Sequence, residues 1–197
     1  MPYTTIVAGN PILSSWANAN VRDQVVTPFA SFAALTAAIT APVEGMVAYT
    51  TDENRLYVYD GAGWVCISPV AAVVATSEGT GSATYASLTT IGPTVSVRTS
   101  AFALVTVSAA MANSTGTAGA LTTVAVSGAS TMTAAAVESA AGAAFAYEGG
   151  GVYGWRTATF LVSGLTRGVN QFQMQYRRDT GGTATFRQRT LAVQPII

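Results

Sequence analysis

The chain has no histidine and a single cysteine, so the commonest general base and metal ligand is missing and any nucleophile lacks its usual activator. A Ser-His-Asp or Cys-His arrangement is impossible. Carboxylates remain. Asp52, Glu53 and Asp60 could supply the acid and base that hydrolyse a glycosidic bond. All three, however, fall at expected hairpin turns, where such residues are solvent-facing turn formers. Asp52 and Asp60 also lack the spacing of a calcium loop. Gly79-Thr80-Gly81 and Gly149-Gly150-Gly151 have neither the Lys nor the strand-to-helix setting of a phosphate cradle, and read as turns. The expectation is a protein that is not an enzyme and uses no cofactor and no metal.

Recognition is the chemistry left over. In Tyr147-Glu148-Gly149-Gly150-Gly151-Val152-Tyr153-Gly154-Trp155, aromatic faces on a glycine-rich loop could stack on sugars or on another protein. Tyr147, Tyr153 and Trp155 are the candidates, with burial at the start of a strand as the alternative. Every basic residue is Arg, the type suited to bidentate and stacked contacts. Strand alternation would put Arg187 and Arg189 on one face beside Arg177 and Arg178. With net charge zero, the set is a poor nucleic-acid platform. It is expected instead to pair across a subunit interface with Glu138, Glu148 or Asp179.

The elements that must carry these residues are mostly strands. Only 9% of the 197 residues are charged, which leaves too little solvated surface for a free monomer and implies that other chains cover part of it. No stretch approaches the ~18 apolar residues of a membrane span, and the first ten residues lack the regions of a secretory signal. Assembly in a cytoplasm, without membrane insertion, is expected. Lone Cys66 cannot form an intrachain disulfide and is expected to fill space beside Trp64.

The chain reads as three segments. Residues 1–41 form an N-terminal arm and two short helices, one from Ser14-Ser15 to about Val26 and one capped by Ser31 and ended by Ala41-Pro42. Residues 42–70 read as a small β-meander, with Tyr57 and Tyr59 on one face, and too small to be stable alone. Residues 71–197 alternate Thr, Ser, Val and Ala between glycine-rich turns. They give eight or so strands, near Ala86–Ile91, Thr94–Arg98, Phe102–Met111, Leu121–Ser127, Arg156–Val162, Phe172–Arg177, Ala184–Arg187 and Leu191–Gln194. Ala134–Ala146 is read as an irregular strand or loop rather than a helix, because of Gly142 and its β-rich surroundings. The fold expected is mainly β, a C-terminal jelly-roll or β-sandwich head behind the arm, helices and meander.

Three patterns resemble virion surface proteins of tailed bacteriophages, especially those of actinobacteria. SSWANANVRDQVVTPF (14–29) is similar to a Trp-x-Asn-x-x-Val-Arg-Asp signature near the N-termini of head-fibre, capsid decoration and minor tail proteins. PVEGMVAYTTDENRLYVYDGAGW (42–64) is similar to a segment recurrent in phage fibres. The C-terminal domain, from SEGTGSATYASLTTIGPTVSVRT to GGTATFRQRTLAVQPI, resembles their jelly-roll heads. The Asn18-Ala19-Asn20 stretch departs from the Asn-Thr or Asn-Ala-Tyr of many members. The resemblance implies a homotrimer on the particle surface. Trp16, Val21, Arg22, Asp23, Phe29 and Phe32 would anchor it to a capsid or tail protein, and Tyr49, Tyr57, Tyr59 and Trp64 would lie at the oligomer interface. A monomer clamped to a capsid lattice is the other arrangement, and a receptor-binding protein that recognises host glycan the other function. An envelope-degrading enzyme is a third.

Overall fold

The computed structural model describes residues 26–146 and 150–197. The arm, the anchoring residues Trp16, Val21, Arg22 and Asp23, and Tyr147 and Glu148 of the glycine-rich loop lie outside the described residues. The chain divides into two compact units, one ending at Ala62 and the other Gly63–Ile197.

The first unit contains β1 (Thr27–Phe29), α1 (Phe32–Ala38), β2 (Val47–Thr50) and β3 (Arg55–Tyr59). The helix starts as expected at Ser31, whose hydroxyl accepts the Ala34 N–H at 3.1 Å and so satisfies a donor the first turn would leave unpaired. β1 lies parallel beside β2, with Thr27 opposite Ala48. β2 and β3 form an antiparallel hairpin, Val47 opposite Val58 and Thr50 opposite Arg55. Its loop turns through Asn54 at φ +52°, a left-handed conformation that Asn tolerates, and the Tyr49 hydroxyl donates to Asn54 Oδ1 at 2.8 Å.

The meander finds its packing partner in its own chain. Tyr57 is only 2% exposed, its ring centroid is 5.1 Å from that of Phe32, and its hydroxyl donates to Glu53 at 2.5 Å. Trp64, in the second unit, is buried as well. Tyr57 and Trp64, expected at an oligomer interface, are therefore core residues, because the chain's own packing already excludes water from them. Tyr49, Tyr59, Phe29 and Phe32 are half-buried.

The second unit is a β-sandwich, and with 53% strand and 8% helix among the described residues the protein is mainly β, as expected. Its elements are β4 (Trp64–Cys66), β5 (Val70–Val74), β6 (Glu78–Thr80), β7 (Thr94–Thr99), β8 (Phe102–Asn113), β9 (Ala120–Gly128), α2 (Ala134–Ala140), β10 (Ala144–Ala146), β11 (Gly154–Ser163), β12 (Gly168–Arg178) and β13 (Ala184–Ile196). One sheet has the order β10-β9-β12-β7 and the other β11-β8-β13-β5, with β6 also paired to β13. Period-two alternation aims Val95, Val97, Val105, Val107, Phe172, Met174, Phe186 and Leu191 into the core between them, the arrangement of a packed sandwich.

Three local expectations are corrected. Ala134–Ala140 is a helix: Thr133 caps it by accepting the Ala136 N–H, alanine is the best helix former, and Gly142, at φ +139°, lies beyond the helix end. Ala86–Ile91 is a loop touching β12 through a bridge at Ala86; the strands nearby are β5 and β6. The two late strands 184–187 and 191–194 are one, β13, interrupted by a bulge between Arg187 and Thr190 where Gln188 takes φ +52°. An extra residue at a bulge re-aims the side chains beyond it, so Arg187 points outward while Arg189 is fully buried. The two do not share a face.

Candidate recognition surface

The two sheets turn different outer faces to their surroundings. Outside β12 and β7 lie Gln171, Ser96 and Arg98, with Gln171 bonded to Ser96 and Ser127. Outside β9, the Thr123 hydroxyl donates to Gly142 O, just beyond α2, at 2.8 Å. Arg177 on β12 pairs with Glu138 on α2 at 3.0 Å. That ion pair is made within the chain, not across subunits.

The opposite face, on β11-β8-β13-β5, is built differently. Its register sets Ser163, Phe102 and Ile196 in one row, Leu161, Leu104 and Gln194 in the next, then Thr159, Thr106, Ala192 and Ala71, then Thr157, Ser108, Thr190 and Val73. These rows contain no charged residue, and Leu161 is 47% exposed, with Phe102, Leu104, Val73 and Ile196 also open. The hydroxyls bond in the plane of the sheet, Thr106 to Thr159 at 2.9 Å and Thr157 to Ser108 at 2.8 Å. A face whose polar groups are already paired loses little when water leaves it.

A fifth row, at the loop end, places Trp155 on β11 and Arg187 on β13 either side of Ala110. Trp155 is 61% exposed. The Arg187 guanidinium lies over the Tyr153 ring at 3.8 Å, and the Tyr153 hydroxyl is 3.4 Å from that of Ser77, just ahead of β6. Of the aromatic candidates, then, Trp155 is open although it begins a strand, and Tyr153 is half-buried under a cation. Arg187 was missed as a recognition residue because its expected partners were acidic side chains, not a ring.

Beneath this end, Arg189 organises the interior. It donates to the carbonyls of Thr90 and Gly92 at 3.2 and 3.4 Å and to the Thr76 hydroxyl at 3.1 Å. It lies 3.6 Å from Glu78 and over the Tyr176 ring at 5.4 Å. Nε has no partner. Tyr176 donates to Gly92 O at 2.8 Å, and burial pushes its hydroxyl pKa up. Hydrogen bonds from the Thr90 hydroxyl and backbone N–H, helped by Arg189, hold the Glu78 carboxyl below its ordinary value of 4.5. A carboxylate with a depressed folded pKa stabilises the fold above its unfolded pKa and loses that contribution as pH falls through the folded one. Glu78→Gln is therefore expected to be less stable than the parent at pH 7, with the gap narrowing on acidification below 4.5. Thermal melts across that range check it, and a gap independent of pH would contradict it.

Among the described residues no cluster of His, Cys, Asp and Glu could hold a metal, and no helix is long and apolar enough to cross a membrane. Asp52, Glu53 and Asp60 are spent on local bonds: Asp52 to the Glu53 N–H, Glu53 to Tyr57, Asp60 to the Ala62 N–H. Comparison of the sequence with protein-family models and with curated proteins finds no match.

Proposed function

We propose that the chain is a structural protein of a tailed-phage particle, displayed on the virion surface as an oligomer of three copies and acting as a capsid decoration or head-fibre protein. The observation that carries the oligomer is the contrast between the two outer faces: one is polar and carries a helix, the other is uncharged over four of its rows, partly apolar there, and open among the described residues. Monomeric proteins rarely expose large contiguous apolar patches, and such patches mark contacts with other chains, membranes or ligands. The patterns at 14–29 and 42–64 support the virion setting, with Trp16, Phe29 and Phe32 toward a capsid or tail protein.

A second reading, recognition of host glycan by a minor tail protein, is favoured by one feature: the open Trp155 at the loop end beside Arg187. Reconstruction of purified virions carrying a tagged copy of the chain tests the main reading. Density for three copies around an axis on the head is expected. Absence from purified particles overturns the virion assignment, and density confined to the tail tip favours the second reading.

A further inference from the structure

We infer that the patch formed by Trp155, Tyr153 and Arg187 is a binding site for a saccharide that carries a carboxylate. The inference builds on the second reading above and gives its ligand a chemical class.

The first part is the cation. Arg187 is exposed and makes no hydrogen bond or ion pair among the described residues; what fixes it is the Tyr153 ring at 3.8 Å. Tyr153 is held in turn at its hydroxyl by Ser77. A guanidinium lying flat on a ring keeps its N–H groups at its rim, where they form the fork that matches a carboxylate in two parallel bonds. Holding that fork in place beforehand lowers the ordering cost of binding.

The second part is the stacking surface. Trp155 stands two strands away in register with Arg187 across Ala110, roughly 10 Å at the usual strand spacing. An indole open to solvent offers the flat face on which the C–H side of a pyranose ring packs. Ala110 of β8, between them, is small and fully buried, so no β8 side chain rises between ring and cation. The separation suits two linked sugar rings, one on Trp155 and the next with its carboxylate at Arg187.

An acidic peptide is the competing ligand, and the strand arrangement disfavours it. β11, which carries Trp155, ends the sheet order, but Arg187 lies on β13, two strands in, so a peptide added along that edge would hold its backbone roughly 10 Å from the cation. A sugar needs only the stacking face and the fork.

Calorimetric titration of the full chain tests this with trigalacturonate and 3′-sialyllactose, their uncharged counterparts methyl-esterified trigalacturonate and lactose, and a tetraglutamate peptide. Saturable binding of at least one carboxylated sugar is expected, at least tenfold tighter than its uncharged counterpart. R187Q should abolish that tenfold preference, and W155A should abolish binding of charged and uncharged sugar alike. Both positions are exposed, so melts of the variants should match the parent. The inference is overturned if neither carboxylated sugar binds, if R187Q keeps the preference, or if tetraglutamate binds more tightly than either sugar. Its failure leaves the virion assignment standing, because that rests on where the chain sits in the particle, and a tail-tip position without sugar binding would separate the two.

Discussion

Leu161→Glu is expected to turn the proposed oligomer into a monomer at micromolar concentration while leaving the subunit folded. Leu161 is 47% exposed in the single chain, so a carboxylate there stays hydrated and should change subunit stability by no more than about 0.5 kcal/mol. In an assembly that covers the face, the same carboxylate would be pressed against rows whose neighbours are Leu104, Phe102 and Thr159, with no cation within those rows to pair it. An unpaired charge taken out of water costs about 4 kcal/mol or more, roughly a thousandfold in the dissociation constant. Light scattering coupled to size-exclusion chromatography reads the mass directly. Gln171→Glu, on the outer face of the other sheet, is the control and should leave the mass unaltered. If L161E keeps the parent's mass, the uncharged face is not where copies meet.

The largest loss of stability should come from Arg189→Ala. Arg189 is fully buried and gathers β5–β7 connecting residues onto β13: Thr76 and Glu78 on one side, Thr90 and Gly92 on the other. Truncation empties the volume of a large side chain and takes the Arg189 donor from the Thr90 carbonyl, while the Gly92 carbonyl keeps Tyr176; loss of a large, fully buried side chain costs about 3–5 kcal/mol. Denaturant unfolding would show this as an earlier midpoint at unchanged slope. Arg189→Met refills the volume without restoring the bonds, so it should lose less than the alanine variant. If the two losses are equal, the bonds rather than the packing carry the whole effect; if alanine costs less than about 1 kcal/mol, the network is ornamental by the usual scale of point mutations.

These residues also mark where the sequence was readable and where it was not. The β-sandwich, the Ser31 cap and the 46–59 hairpin were legible because each rests on local chemistry: period-two alternation, a serine ahead of an apolar run, an Asp-Glu-Asn turn between strands. Ala134–Ala140 was misread because a helix of seven residues gives too little periodicity to outweigh a nearby Gly142. Arg189 was illegible for another reason. Arginine is ordinarily a surface residue, and what buries this one is a bulge whose only local trace is Gln188, a residue with no special liking for positive φ. The same bulge hid the Arg187–Tyr153 pair, since alternation put both arginines on one side. Trp155 was found by composition alone, as an aromatic beside glycines, but its register with Arg187 depends on three strands that are far apart in the chain.

The hydroxyl rungs between β8 and β11 have a bearing on alignment. Sliding one strand by a single residue would send every inward side chain outward, an error the apolar pattern forbids. Sliding by two keeps each side chain on its own side, so that pattern is blind to it. The rungs are not: a shift one way sets Thr159 against Leu104, a shift the other way sets Thr106 against Leu161, and each breaks both pairs now seen, Thr106 with Thr159 and Thr157 with Ser108, while forming only one hydroxyl pair in their place. The threonines thus work as a vernier, choosing among pairings that greasy side chains would accept equally.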